Sequence, residues 1–238
     1  MVVAVTVRAS KGTAAHQPRT AFHSPPLVRL LAGLDAAAPP VPARPQAGVG
    51  ERLGQWLGWA DAIALSQALN QPLNQPPARP TARPPAPGAQ AGAATALARV
   101  RDDLRRAVLQ DPVFQADSRA TAGPAEYRRA AQARQRAMAA AIGPLRAQLR
   151  GLLAATSPAG AHLAALDATL EAALGEREHH LLAGVVQRLE RQFQQLQQAQ
   201  APHWRDSFHH TLQQVLLAEI DLRLQPAQGL QDALGEPA

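Results

Sequence analysis

Residues 158–200 read PAGAHLAALDATLEAALGEREHHLLAGVVQRLERQFQQLQQAQ, and this stretch decides the fold class. Its large apolar residues, here called the Leu stripe, recur every 3, 4 or 7 positions: Leu163, Leu166, Leu170, Leu174, Leu181, Val185, Leu189, Phe193 and Leu196. That period is typical of one face of an α-helix. Ser157 before Pro158 is a typical helix start. A helix from Pro158 to Gln200 would be about 60 Å long, which indicates an elongated bundle or coiled-coil-like packing.

Five other segments also have helical periodicity, and none pairs convincingly as a strand. We expect helices at about residues 27–34, 49–69, 93–110, 124–155 and 203–224. Pro144 should kink the fourth of these, and Pro226 should end the last. In the third, Asp102 should pair with Arg105 and Arg106. The predicted fold class is all-α: an elongated antiparallel helical bundle with a small N-terminal helical module and a Pro-rich linker.

The 21 prolines are concentrated toward the N-terminal part of the chain, and their positions suggest how the chain divides into structural segments. We expect a disordered lead-in at 1–23, an N-terminal helical module at 24–70, a Pro/Ala-rich linker at 71–92, the main helical bundle at 93–226 and a flexible tail at 227–238. The linker has too many prolines for helix or sheet. The main bundle is long enough to bury an ordinary core.

Composition argues against most enzyme classes. With no cysteine, the chain has no disulfide, no Cys-ligated zinc and no thiol nucleophile. No serine lies in a Gly-x-Ser-x-Gly turn, and no Gly-rich loop precedes a lysine. We therefore expect no enzymatic activity and no cofactor. No apolar run approaches the roughly 18 residues that a membrane span needs, and the N-terminus makes a poor signal peptide, so a cytoplasmic location is expected.

Basic residues are unevenly distributed. Residues 99–150 carry a net charge of +6, whereas 151–238 carry −5. Five arginines, here called the arginine stripe, fall in one arc of the helix predicted at 124–155: Arg128, Arg129, Arg136, Arg146 and Arg150. Such a stripe could bind phosphates non-specifically, or it could pair with the acidic C-terminal region. The sequence has no DNA-binding motif and almost no aromatic residues for base stacking, which argues against nucleic-acid binding.

Trp56, Leu57 and Trp59 are the candidate partner-binding residues. They lie on the helix predicted at 49–69, which is too short to bury all its apolar surface by itself, and tryptophan is enriched at interface hot spots. That helix either docks on the main bundle or anchors a partner protein. The Leu stripe could serve the bundle itself or a homodimer.

Two carboxylate-x-x-His spacings are the strongest enzymatic signal: Glu176 with His179, and Asp206 with His209. Such pairs on two facing helices build ferritin-like di-metal sites. In a tight hairpin of the two helices, however, facing residue numbers sum to about 404, so the two pairs lie far apart. The same argument separates the two His-His doublets that contain these histidines. Surface histidines and no metal site are therefore expected.

Several blocks resemble a known family. They are residues 25–31 (PPLVRLL), 51–59 (ERLGQWLGW), 127–129 (YRR), 142–145 (IGPL) and 215–226 (VLLAEIDLRLQP). Together they resemble the proteobacterial domain-of-unknown-function family number 3348. The resemblance covers nearly the whole chain but implies no activity or catalytic residues. The family's genes tend to lie near those of peptidoglycan-binding, membrane-associated proteins, which hints at a cell-envelope complex.

The function expected from the sequence is a non-enzymatic helical scaffold or adaptor that binds protein partners. The protein could also form a homo-oligomer. The alternative is a basic helical protein that binds nucleic acid non-specifically through the arginine stripe. A metalloenzyme is a third, weaker alternative.

Overall fold

The structure is a computed structural model that describes residues 25–35, 57–70, 88–115, 121–200 and 202–235. Within these ranges the chain forms α-helices, one short 3₁₀ turn and no strand, so the predicted all-α bundle is confirmed. The helices are α1 (Pro26–Asp35), α2 (Trp59–Asn70), α3 (Ala89–Leu109), α4 (Pro124–Ala154), α5 (Pro158–Ala199) and α6 (Trp204–Gly235), and the 3₁₀ turn is Pro112–Phe114.

Four helices, α3 to α6, form an up-and-down bundle. In it α4 and α6 each pack against all three of the others. Successive helices run antiparallel, because late residues of one contact early residues of the next: Arg146 donates to Asp167 across α4 and α5, and Phe193 packs edge-to-face on Phe208 across α5 and α6. Short connections between long helices produce this topology.

Helix α5 begins as the sequence predicts. The Ser157 side chain accepts a hydrogen bond from the backbone N–H of Gly160 at 3.0 Å, and Pro158 occupies the first turn. Its 42 residues correspond to a length of about 63 Å. Helix α4, also predicted closely, continues through Pro144 to Ala154. These two helices set the length of the bundle.

The few aromatic residues of the bundle gather at one end. Tyr127, Phe193 and Phe208 pack with ring centroids 5.0–5.5 Å apart, and Trp204 and Phe114 extend the cluster to either side. Edge-to-face contacts of this kind add to the energy of apolar burial. The rest of the core is aliphatic, so one end of the bundle is anchored by rings and the other by Leu, Ala and Val.

The N-terminal helices are not a separate module in the described residues. Helix α1 contacts α5 and α6, and its Leu27 is almost completely buried in the main core. Helix α2 contacts α5. The amphipathic spacing of Leu27, Leu30, Leu31 and Leu34 explains the docking, because the isolated α1 would leave this stripe in water.

Several predicted boundaries are wrong. Helix α3 begins at Ala89, so the last four residues of the linker predicted at 71–92 are helical. Helix α6 continues through Pro226 to Gly235, with Ala227 and Leu230 buried, so most of the predicted tail at 227–238 belongs to the bundle. Tertiary burial here outweighs the roughly 3 kcal/mol that an interior proline costs a helix.

Two ion pairs also differ from the prediction. Arg105 pairs with Asp221 on α6, and Arg106 pairs with Asp103 rather than with Asp102. The lead-in at 1–23 and residues 71–87 lie outside the described residues.

Candidate functional site

The candidate partner-binding residues fall into different environments. Trp59 is the first residue of α2 and is 84% exposed, whereas Leu57 is half-buried. Trp56 lies outside the described residues. The Asp61 side chain accepts a hydrogen bond from Gly58 N–H at 3.1 Å, which stabilises the start of α2 and holds Trp59 at its tip. Of the predicted trio, Trp59 therefore presents an unburied indole to solvent.

Most of the large exposed apolar side chains lie on α5 or on the two short helices that contact it. Among the described residues, the large exposed ones are Val28, Trp59, Ile63, Leu69, Leu109, Leu163 and Leu181. All except Leu109 lie on α1, α2 or α5, and both short helices pack on α5. We call Val28, Trp59, Ile63, Leu69, Leu163 and Leu181 the apolar side. Grouped exposed apolar residues are typical of interaction surfaces.

The Leu stripe of α5 has two different halves. Val185, Leu189 and Phe193 are buried in the bundle, which is one of the two alternatives that the sequence left open. Leu163 and Leu181 are 45% and 51% exposed. Leu166, Leu170 and Leu174 are only partly buried. The sequence left open whether the stripe serves the bundle or a homodimer; the structure buries Val185, Leu189 and Phe193 in the bundle and leaves Leu163 and Leu181 exposed.

A long groove explains this difference. One cavity of about 860 Å³ lies between α1, α5 and α6, and a second of about 460 Å³ lies between α5 and the end of α6. The two cavities meet at Leu174 and Glu178, which line both. Together they form one groove along α5. Helix α1 lies against its first part, the larger cavity.

The second part of the groove is lined unequally by its two long helices. Helix α5 contributes Leu163, Leu166, Leu170 and Leu174. Helix α6 faces them with Pro226, Gly229, Leu230 and Ala233. The small residues of α6 do not fill the space opposite the leucines, and a Cβ added at Gly229 would meet no atom within 4 Å. This part is called the open groove end.

Charged residues differ between the two parts. The lining of the larger cavity includes Arg177, Arg188 and Arg191 against one carboxylate, Glu178. The open groove end has Asp167, Glu171 and Glu178 against Arg146. The lining of the larger cavity therefore contains more arginines than carboxylates, and the lining of the open groove end contains more carboxylates than arginines.

The arginine stripe is largely paired with carboxylates. The Nη1 atom of Arg128 lies 3.1 Å from Oε1 of Glu190, and the Nη2 atom of Arg129 lies 2.9 Å from Oε1 of Glu126. Arg136 is exposed and has no ion pair among the described residues. The five arginines therefore do not form a continuous uncompensated surface, which reduces their attraction for phosphates.

Arg146 and Arg150 belong to a four-membered network with Asp167 and Glu171. Arg146 donates to both oxygens of Asp167 at 2.7 and 2.9 Å, and Arg150 donates to Asp167 and to Glu171. Burial desolvates Arg150, which by itself would lower its pKa, but the hydrogen bonds and charges of Glu171 and Asp167 outweigh this and raise it. The network fixes the register of α4 on α5.

The two carboxylate–histidine pairs do not converge. Glu176 and His179 are exposed on α5. His209 is buried, contrary to the expectation of a surface histidine, and hydrogen-bonds through Nε2 to the Tyr127 hydroxyl. Among the described residues no group of three His, Asp or Glu side chains could hold a metal ion. His209 instead joins the aromatic cluster that connects α4 with α6.

A buried polar network between α4 and α6 was missed from the sequence. Glu219 is fully buried, with Arg223 and Gln135 as its partners. Gln135 also donates to the Leu182 carbonyl at 3.0 Å, so it connects three helices. The sequence offered one signal: Glu219 and Arg223 are four residues apart in a helix, the spacing of an ion pair on one helix face.

None of the helices in the described ranges combines the length and hydropathy needed to cross a bilayer.

Comparison with known proteins gives a family and no activity. The model of the family described as "Protein of unknown function (DUF3348)" matches residues 13–236. The chain therefore belongs to this family, and the resemblance seen in the sequence is confirmed. No curated protein matches the chain. No solved structure matches it either.

Proposed function

We propose that this protein is a non-enzymatic helical adaptor that binds a protein partner through the apolar side. One observation carries the proposal: six of the seven large apolar side chains exposed in the described residues lie on α1, α2 and α5. A random distribution would place about half of them on α3, α4 and α6, which hold about half of the described residues. Apolar surface concentrated in this way stabilises a complex when a partner covers it.

Trp59 is the strongest single contact that this surface offers. An indole ring buries about 150–250 Å² when covered, and interface hot spots are enriched in tryptophan. Its position at the start of α2, held by the hydrogen bond between Gly58 and Asp61, limits the entropy that binding would cost. Ile63, about one turn further along α2, is also exposed and would help to exclude water beside it.

Helix α5 provides a rigid support for the surface. Its C-terminal half is embedded in the bundle through Val185, Leu189 and Phe193. Its N-terminal half is held to α4 by the network of Arg146 and Arg150 with Asp167 and Glu171. A pre-ordered surface of this kind binds without paying for helix formation.

The test is affinity purification of the tagged full-length protein from its own cells, with nuclease treatment and about 0.3 M salt to screen surface charges. We expect one or two proteins in stoichiometric amounts. Their recovery should fall with Trp59→Ala and with Leu181→Glu. The matched control is Leu109→Glu, since Leu109 is 52% exposed and Leu181 51%, but Leu109 lies on α3.

Two outcomes would contradict the adaptor. One is recovery of the protein alone. The other is a complex that depends on nucleic acid and on Arg128, Arg129 and Arg136, which would support the basic-stripe alternative.

A further inference from the structure

The groove between α5 and α6 already binds one amphipathic helix. Helix α1 packs on both helices through leucines at positions i, i+3, i+4 and i+7: Leu27, Leu30, Leu31 and Leu34. Leu27 is almost fully buried there, and its neighbour Val28 lines the remaining cavity. The groove thus has the shape and the apolar floor that a leucine-rich helix needs.

Beyond α1 the groove continues without a described occupant. From Leu163 to Leu174 the open groove end extends over about 16 Å, or three helical turns. This is close to the roughly 15 Å length of α1 itself, a helix of 10 residues. Its leucines on α5 repeat at intervals of 3 and 4, the spacing that interdigitates with another helix.

The opposite wall leaves room for inserted side chains. Gly229 and Ala233 on α6 present almost no side chain toward the groove, and a Cβ at Gly229 meets nothing within 4 Å. Glycine inside a helix is less favourable than alanine, so its presence weakens α6 locally. The same position that weakens the helix keeps the groove open.

We propose that the open groove end binds an amphipathic α-helix of the partner protein, with leucine-type residues at i, i+3, i+4 and i+7. This inference rests on the proposed adaptor function and names the chemistry of its partner. Asp167 and Glu171 are neutralised by Arg146 and Arg150, whereas Glu178 is exposed and has no ion pair among the described residues. The bound helix therefore carries a lysine or arginine beside its leucine stripe.

The probe is a fluorescent peptide of residues 25–35 with Val28→Lys, which combines the required leucine spacing with a cation beside it and is stapled into a helix through positions 29 and 33. Both positions are exposed in α1. Binding to the full-length protein is measured by fluorescence anisotropy. The blocking variants are Gly229→Leu, which fills the groove from α6, and Leu170→Glu, which places a charge on its floor.

The matched control is Gly151→Leu. Gly151 is an exposed helical glycine of α4 with open space around it, outside the groove. Both glycine variants should keep or raise the thermal midpoint, because leucine is the better helix former. Loss of binding in Gly229→Leu therefore cannot come from unfolding.

We expect wild type and Gly151→Leu to bind the peptide equally, and both blocking variants to bind it at least about tenfold more weakly. No binding to wild type would overturn the inference. Binding unaffected by Gly229→Leu would also overturn it, since the peptide would then be displacing α1.

Light scattering of the free protein tests whether a second copy of the chain occupies the groove. A dimer that dissociates with Gly229→Leu would assign the groove to a second copy and overturn the inference. If the peptide fails but a native partner is still lost with Trp59→Ala, the inference fails while the adaptor function stands.

Discussion

Replacing Arg223 by methionine should destabilise the bundle severely, because it leaves a carboxylate buried without its cation. Glu219 is 0% exposed and Arg223 is 11% exposed. Arg223 donates to the Glu219 carboxylate from Nε and Nη2, each at 2.8 Å, and Gln135 donates to both carboxylate oxygens at 3.0 and 3.2 Å. Gln135 alone cannot balance the negative charge.

Breaking a buried pair by removing one partner costs about 3–5 kcal/mol. Methionine fills a similar volume and adds no cavity, so this figure reflects the orphaned charge. Replacing both Glu219 and Arg223 by methionine removes the charge as well. The double variant should therefore recover to within about 1 kcal/mol of wild type, or exceed it.

The assay is urea unfolding followed by circular dichroism. With a slope of about 2 kcal/mol per molar urea, Arg223→Met should lower the midpoint by about 1.5–2.5 M. The control is Arg106→Met, whose partner Asp103 is 59% exposed, and it should change stability by less than about 0.5 kcal/mol. A loss below about 1 kcal/mol in Arg223→Met, or a double variant no better than the single, would refute this reasoning.

Three further predictions test local features of the fold. Gly160→Ala should destabilise by about 1–3 kcal/mol, because its Cβ would collide with the Leu153 carbonyl, whereas Gly151→Ala should stabilise by up to about 1 kcal/mol; thermal unfolding distinguishes them. Hydrogen bonds from backbone N–H groups, first that of Glu126 itself and then that of Gly123, lower the pKa of the Glu126 carboxyl from its ordinary value of 4.5. The ionised carboxylate therefore stabilises the fold above pH 4.5. This stabilisation is lost as the pH falls through the pKa of Glu126 in the folded state. The difference in thermal midpoint between wild type and Glu126→Gln should therefore shrink as the pH is lowered. A difference that stays constant would contradict this. Tyr127→Phe should cost about 1–3 kcal/mol in urea unfolding by removing a buried hydrogen bond, and a neutral effect would show that this bond is dispensable.

The sequence predicted the helices well where local signals were strong. Ser157 and Pro158 locate the start of α5, and Pro124 locates the start of α4, because capping and the fixed φ of proline act within one turn. Pro226 misled the prediction. Its local cost is overcome by the burial of Ala227 and Leu230, a tertiary effect that periodicity alone does not reveal.

The candidate site was only partly predictable. Trp59 was identified from its residue type and is exposed in the structure. The groove was not identified, because the Leu stripe has the same spacing in its buried and exposed halves. What separates them is the neighbouring helix: Gly229 and Ala233, which have little or no side chain, line the same cavity as Leu166 and Leu170. Which residues of two helices meet is set by the tertiary register.

The arginine stripe shows the same limit. Periodicity placed its five arginines in one arc, but it could not show that Glu190, Asp167 and Glu171 would lie opposite them on α5. Whether a charged stripe is compensated depends on the neighbouring helix, and that neighbour is fixed by packing rather than by local sequence.

The most direct test of the adaptor function is quantitative purification of the tagged protein and its Leu181→Glu and Leu109→Glu variants from native cells after nuclease treatment. The account predicts a stoichiometric partner protein with wild type and Leu109→Glu that is lost with Leu181→Glu. Equal recovery with both variants, or no partner with wild type, would contradict it.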